Sequence, residues 1–227
     1  MRQQPEGYSF RWTATVVLII INALVFIVQV GVLRTTFVNQ YLALSLDGLY
    51  HGRVWQFFTY QFLHSTPWPW HLLLNCWALF VFGREVERSL GTRRFLVLYF
   101  VSGIVGGLFQ EFVALIWPQY FGSAVVGASA GIFGVVSAFA MLFPERQLTM
   151  LLLFVIPVNM RAKYLLLINL LITALGISVP QSQLLQKLLG GHVAHAAHFG
   201  GMLAGLTLVL EIFNVQANQP MVPDAKK

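Results

Sequence analysis

Five long intervals carry no charged residue, apart from one break at Glu111: 12 to 33, 54 to 83, 95 to 144, 164 to 186 and 188 to 210. Each can cross a bilayer, because about 20 apolar residues at 1.5 Å rise match a hydrocarbon core of roughly 30 Å. Only 10% of the 227 residues are Asp, Glu, Lys or Arg, where a soluble domain carries about 25%. The expected solvent is therefore lipid, and the expected fold class is an all-α polytopic membrane protein.

Six spans are expected, at Thr13 to Leu33, Trp68 to Gly83, Phe95 to Trp117, Val125 to Phe143, Tyr164 to Val179 and Val193 to Phe213. Residues 12 to 213 then form one membrane domain between cytoplasmic tails at 1 to 11 and 214 to 227. With the N-terminus inside, 11 of the 14 basic residues fall on the cytoplasmic side, and only Arg34, Arg53 and Lys187 lie outside. This is the positive-inside pattern, and an even span count returns the C-terminus to the cytoplasm. The segment between the first two spans is too long and too apolar for a plain linker, so it is expected to lie in the outer interface. Leu148 to Ile156 is too short to span and has Arg146 and Lys163 on either side, so a cytoplasmic hairpin or interfacial segment is expected there.

Composition excludes other classes. A single cysteine, Cys76, makes neither an internal disulfide nor a cysteine-based zinc site. The net charge of +6 sits between apolar spans rather than on one solvated face, so nucleic acid is not an expected partner.

Polar groups inside apolar spans are costly, so each needs a helix contact or a function. His71 and Asn75, four apart, share one helical face and either glue two helices or donate hydrogen bonds to one point. Ser129 lies within Gly127-Ala128-Ser129-Ala130-Gly131-Ile132-Phe133-Gly134, where a serine commonly bonds back to its own helix. On a helical wheel Gly127, Ala130, Gly131 and Gly134 share a face opposite Ser129. These glycines are thus expected to pack a neighbour other than the one the serine meets. Around His198 the wheel gathers Ala194, Gly201 and Gly205, a face that can approach another backbone closely. His192, His195 and His198 invite a metal, but His192 points roughly 120° from His198 and no carboxylate or cysteine is in register, so no metal and no cofactor are expected.

A serine becomes a nucleophile when a base takes its proton, and neutral imidazole is the usual base near pH 7. The intermediate of acyl transfer then needs donors aimed at its oxyanion. Ser129, His198 and the His71/Asn75 pair can fill these roles. Glu211 lies 13 residues past His198, about 20 Å along a helix, so it cannot orient the imidazole. That leaves a dyad, with Phe133, one turn after Ser129, available to stack on the ring.

These residues resemble the rhomboid family of intramembrane serine proteases. The resemblance runs from about Trp55 to Gly205 and rests on four motifs in order. They are His71-Leu72-Leu73-Leu74-Asn75, Gly83-Arg84-Glu85-Val86-Glu87-Arg88-Ser89-Leu90-Gly91, Gly127-Ala128-Ser129, and Ala197-His198-Phe199-Gly200-Gly201 with Gly205. It implies a six-helix rhomboid-like bundle, Ser129 as nucleophile, His198 as base, and an oxyanion hole of His71, Asn75 and the serine's own N–H. It also implies transmembrane protein substrates, and a site open to the outer face of a bacterial inner membrane. Two positions depart from the family: Ala130 follows the serine where glycine is common, and Gln56 follows Trp55 where arginine is common. A catalytically inactive member that binds transmembrane clients is the alternative.

Overall fold

The structure is a computed structural model and describes residues 12–66, 69–152, 156–178 and 194–217. It is mostly helical. Helix α1 (Ala14–Gly31) buries Thr15, Leu18, Asn22 and Gln29, and exposes Val17, Ile20, Ile21, Leu24, Ile27, Val28 and Val30. Three of its four inward residues are polar and its outer face is aliphatic. That inversion of the soluble pattern is stable only where the surroundings are themselves apolar. The N-terminus of α1 is capped from afar: the Glu87 carboxylate accepts hydrogen bonds from the N–H groups of Ala14 (2.8 Å) and Thr15 (2.9 Å) and from the Thr15 hydroxyl (2.7 Å). An acid there satisfies orphan donors and meets the positive end of the helix dipole.

Helix α2 (Trp70–Ala78) does not stop where the uncharged interval stops. It continues through a wide π-type turn (Leu79–Gly83) into Arg84–Leu90, and ends at Gly91, whose φ of +80° favours glycine. The helix thus runs past the expected end of the span at Gly83, because charges end a lipid-facing surface without ending a helix. Helix α3 (Thr92–Ile116) and α1 are long and apolar enough to cross a membrane; α4 (Ser129–Leu142) and α5 (Ala162–Ser178) are apolar but shorter. Helix α6 (His195–Ala217) completes the set of long helices among the described residues.

The segment between α1 and α2 folds into short helices at Thr35–Phe37, Leu46–Tyr50 and Gln56–Thr59. It is tied to itself by side chains reaching backbone carbonyls. Trp55 Nε1 donates to Tyr41, Thr59 Oγ1 to Leu42, and both Arg53 and the buried Gln56 to Gln40. Gln56 stands where the resemblance has arginine, and here the cation enters the same loop three residues earlier. Beyond α4, β1 (Gln147–Leu152) pairs antiparallel with β2 (Ile156–Arg161), Gln147 opposite Arg161 and Leu152 opposite Ile156. The expected hairpin is present, and Glu145 bridges Arg161 (2.6 Å) and Lys163 (2.5 Å) at its base.

The centre of the bundle is a glycine junction of α3, α4 and α6. A Cβ on Gly106 would come within 2.7 Å of the Ala130 Cβ, and one on Gly201 or Gly205 would overlap the backbone of Ala130 or Gly134. Such backbone-to-backbone approach is how small residues join helices where lipid competes for every apolar surface.

Candidate functional site

Two of the junction's helices carry the polar residues that matter. Helix α4 starts at Ser129, not at Val125, because Gly127 has φ +137°, a conformation outside the helix and open to glycine. The expectation that Gly127 packs a helix is thereby corrected. It lies in the turn before α4, its N–H donates to the Tyr60 carbonyl (2.9 Å), and a Cβ there would sit 3.0 Å from His71 Nε2 and 3.4 Å from Ser129 Oγ. Its missing side chain leaves room for an imidazole beside the serine. The other expectation about these glycines holds only in part: Gly131 packs against Tyr99 of α3, and Gly134 meets Ser102 of α3, but Ala130 and Gly134 also press on α6, the helix that carries His198. Ser129 escapes the wheel argument because it is the first helical residue, where the side chain projects past the end of the helix rather than off one flank.

His198 lies near the start of α6, its N–H bonded to the Ala194 carbonyl (3.0 Å). Its Nε2 is 2.7 Å from Ser129 Oγ. The Phe133 ring, one turn past Ser129, stacks on the imidazole with centroids 4.3 Å apart and planes inclined by 24°. Gly201 and Gly205, on the face of α6 that bears His198, are the residues pressed against α4, so close packing and the hydrogen bond come from the same contact. Among the described residues no carboxylate forms an ion pair with His198.

Donors surround the serine. The first N–H groups of α4 have no intrahelical acceptor and point back past Ser129, at the end of the helix where negative charge is favoured. His71 presents Nε2 toward the space left by Gly127, and its Nδ1 accepts a hydrogen bond from the Ser65 N–H (3.3 Å). Asn75, buried, donates Nδ2 to the His71 carbonyl (2.8 Å) on its own helix. Ser129, His71, His198 and Phe133 are all half-buried, so each keeps part of its surface accessible. His195 instead turns toward Gly176 of α5, and His192 lies outside the described residues.

Sequence reasoning passed over Tyr60, Ser65 and Gln29. Tyr60 supports Gly127 through its carbonyl and donates its hydroxyl to the Gly103 carbonyl of α3 (2.6 Å). Gln29 carries the signal that could have found it, a polar side chain inside an apolar span.

A serine bonded to a neutral imidazole, beside a helix N-terminus and a second imidazole, can form and break acyl bonds. Residues 51–214 match the Rhomboid domain model. The chain is similar to Rhomboid protein 1, mitochondrial, of Saccharomyces cerevisiae, with 36% identity over 141 residues, covering 60% of this chain and 36% of the yeast protein. It is also similar to Rhomboid protease GlpG of Haemophilus influenzae, with 28% identity over 159 residues and 68% of each chain covered. A shorter match, 33% identical over 85 residues, covers 37% of this chain and 22% of Inactive RHOMBOID-like protein 8 of Arabidopsis thaliana. The chain thus spans little more than a third of the yeast relative and about two thirds of the Haemophilus one. The matched region contains the Ser129–His198 hydrogen bond, the glycine junction beneath it and the His71 side chain beside it, and on that basis the chain belongs to the membrane-embedded rhomboid family.

Proposed function

We propose that this protein is an intramembrane serine endopeptidase whose dyad is Ser129 and His198 and whose substrates are transmembrane segments of other membrane proteins. The observation that carries the reading is the 2.7 Å contact between His198 Nε2 and Ser129 Oγ, with Phe133 stacked on the imidazole. In the reaction His198 takes the hydroxyl proton as Oγ bonds to the scissile carbonyl carbon. The carbonyl electron pair moves to oxygen, which is held by the His71 Nε2–H and the free N–H groups of α4. Collapse restores the carbonyl and breaks the C–N bond, and His198 passes its proton to the leaving amine. Water, deprotonated by the same imidazole, then releases the acyl group and regenerates Ser129.

Six helices cross, α1 through α6, with α2 leaving the membrane at about Gly83 and running on to Leu90; both termini lie in the cytoplasm and the site faces outward. Helix α4 has 14 residues, about 21 Å against a hydrocarbon core of roughly 30 Å. With its C-terminal end at the inner interface near Glu145 and Arg146, Ser129 lies some way below the outer surface. The proposed location is a bacterial inner membrane. The test is cleavage of a generic transmembrane substrate by detergent-purified protein. Wild type should cut and Ser129→Ala should not. Equal turnover by the two would remove Ser129 as nucleophile. Absence of cleavage and of labelling by a serine-directed phosphonate in wild type would favour a client-binding, inactive member.

A further inference from the structure

The His71 imidazole is useful as an oxyanion donor only when its proton is on Nε2, the atom beside Ser129, and the surrounding backbone enforces that choice. Ser65 N–H points at His71 Nδ1 (3.3 Å). A main-chain N–H is always a donor, so Nδ1 must be the acceptor, and a neutral ring that accepts at Nδ1 carries its hydrogen at Nε2. The Ser65 N–H belongs to the peptide unit that also contains the His64 carbonyl. In a trans peptide these two groups point in opposite directions. Gln29, from α1, holds that carbonyl through Nε2 (2.7 Å) and accepts the His64 N–H at Oε1 (3.0 Å). Both main-chain groups of His64 are thereby fixed by one buried amide, and the next N–H is aimed at His71. Residues 63 to 65 belong to no helix or strand, so no ladder of backbone bonds would hold this peptide otherwise. The His64 ring, edge-on to His71 with centroids 5.2 Å apart, limits rotation of the His71 ring.

We infer that Gln29 is a positioning residue, which acts through the His64–Ser65 peptide to fix the His71 tautomer that donates to the oxyanion. The inference rests on the peptidase reading for its kinetic consequence, but its structural part stands apart from that reading. The hydrogen bonds of Gln29 go to His64 and not to Ser129. Removing Gln29 leaves the His64 carbonyl without its donor and frees the peptide to turn.

The experiment uses protein carrying 15N-labelled histidine in detergent micelles, with the His71 signals assigned by comparison with His71→Ala. Wild type should show His71 with an unprotonated Nδ1 and a protonated Nε2, and Gln29→Leu should move it toward a tautomer mixture. Gln29→Met, close to glutamine in length but with neither donor nor acceptor for His64, should do the same and serves where the leucine variant does not fold. In cleavage assays Gln29→Leu should lower kcat about ten-fold, with KM changed less than two-fold, because the oxyanion exists only in the transition state. Placed in a His71→Ala background, it should cost nothing further. An unchanged His71 tautomer in both Gln29 variants, or an equal loss of kcat with and without His71, would overturn the inference. If wild type cleaves nothing, the peptidase reading falls and the 15N shifts alone decide the role of Gln29.

Discussion

Gly205 of α6 lies against Gly134 of α4 so closely that a Cβ on Gly205 would overlap the Gly134 carbonyl. Two turns of α6 earlier, His198 reaches Ser129. The distance between base and nucleophile is therefore set by a contact with no side chain in it.

Gly205→Val should separate the two helices and destabilise the protein by roughly 1 to 3 kcal/mol or more, the usual cost of forcing extra atoms into a packed interior. Gly205→Ala should fall between valine and wild type. Gly31→Ala is the control, since a Cβ there meets nothing within 4 Å. Thermal unfolding in detergent checks the order. A Gly205→Val protein as stable and active as Gly31→Ala would mean that the junction does not set the dyad.

The Phe133 ring holds the His198 imidazole by stacking at 4.3 Å, a contact worth about 0.5 to 1.5 kcal/mol. If that energy holds the ring in its reactive orientation, Phe133→Leu should lower kcat by about two- to ten-fold and leave KM near its wild-type value. A change confined to KM would assign Phe133 to substrate binding instead.

The site was more legible in the sequence than the scaffold around it. Lipid makes every buried polar group conspicuous, so His71, Asn75, Ser129 and His198 stand out against leucine and valine before any fold is known. The apolar intervals also place the long helices near their observed positions. The positive φ at Gly127 and Gly91 was not legible, because a glycine reads alike whether it packs a helix, ends one or bends a turn. The neighbour of the Gly134 face was likewise hidden, since a helical wheel ranks directions on one helix and says nothing about which helix fills them. The folding of 35 to 63 escaped because its bonds run from side chains to backbone carbonyls, as with Gln56 and Arg53 on Gln40, and leave no periodic trace.

Asn75 and His71, equal partners by their spacing, differ in geometry. His71 faces the space beside Ser129, whereas the Asn75 amide bonds the His71 carbonyl on its own helix. His71→Ala should therefore cost on the order of 10² in kcat, as loss of an oxyanion donor does, and Asn75→Ala should cost less. A larger loss for Asn75→Ala, with the fold intact, would make Asn75 the principal donor.

Acid should weaken the protein through Glu87. Burial alone would raise its carboxyl, but hydrogen bonds from Thr15, Ala14 and Thr92 outweigh that and hold it below the ordinary carboxylate value. A group depressed in the folded state contributes stability above its unfolded pKa of about 4.3, and that contribution is lost as pH falls through the lower folded value. Glu87→Gln should cost on the order of 1 to 2 kcal/mol at neutral pH, as loss of a helix cap does, and should show a shallower fall in acid. Parallel pH–stability curves for wild type and variant would exclude Glu87 as the acid-sensitive group.

A peptide bond inside an intact helix has its carbonyl already bonded along the helix, and lipid supplies no replacement partner, so an ideal transmembrane helix resists attack. The half-buried edge of the Ser129 site can receive the bond only if the substrate unwinds there. Glycine lowers the cost of unwinding by roughly 1 kcal/mol relative to alanine, and proline lowers it further. Since 1.4 kcal/mol is a factor of ten, one glycine near the outer end of the substrate helix should speed cleavage about five-fold. Two substrates matched for binding, one with an all-leucine outer turn and one with glycine or proline introduced there, read this as a ratio of kcat values. Equal rates would show that unwinding does not limit the reaction, and that selection acts at an earlier contact.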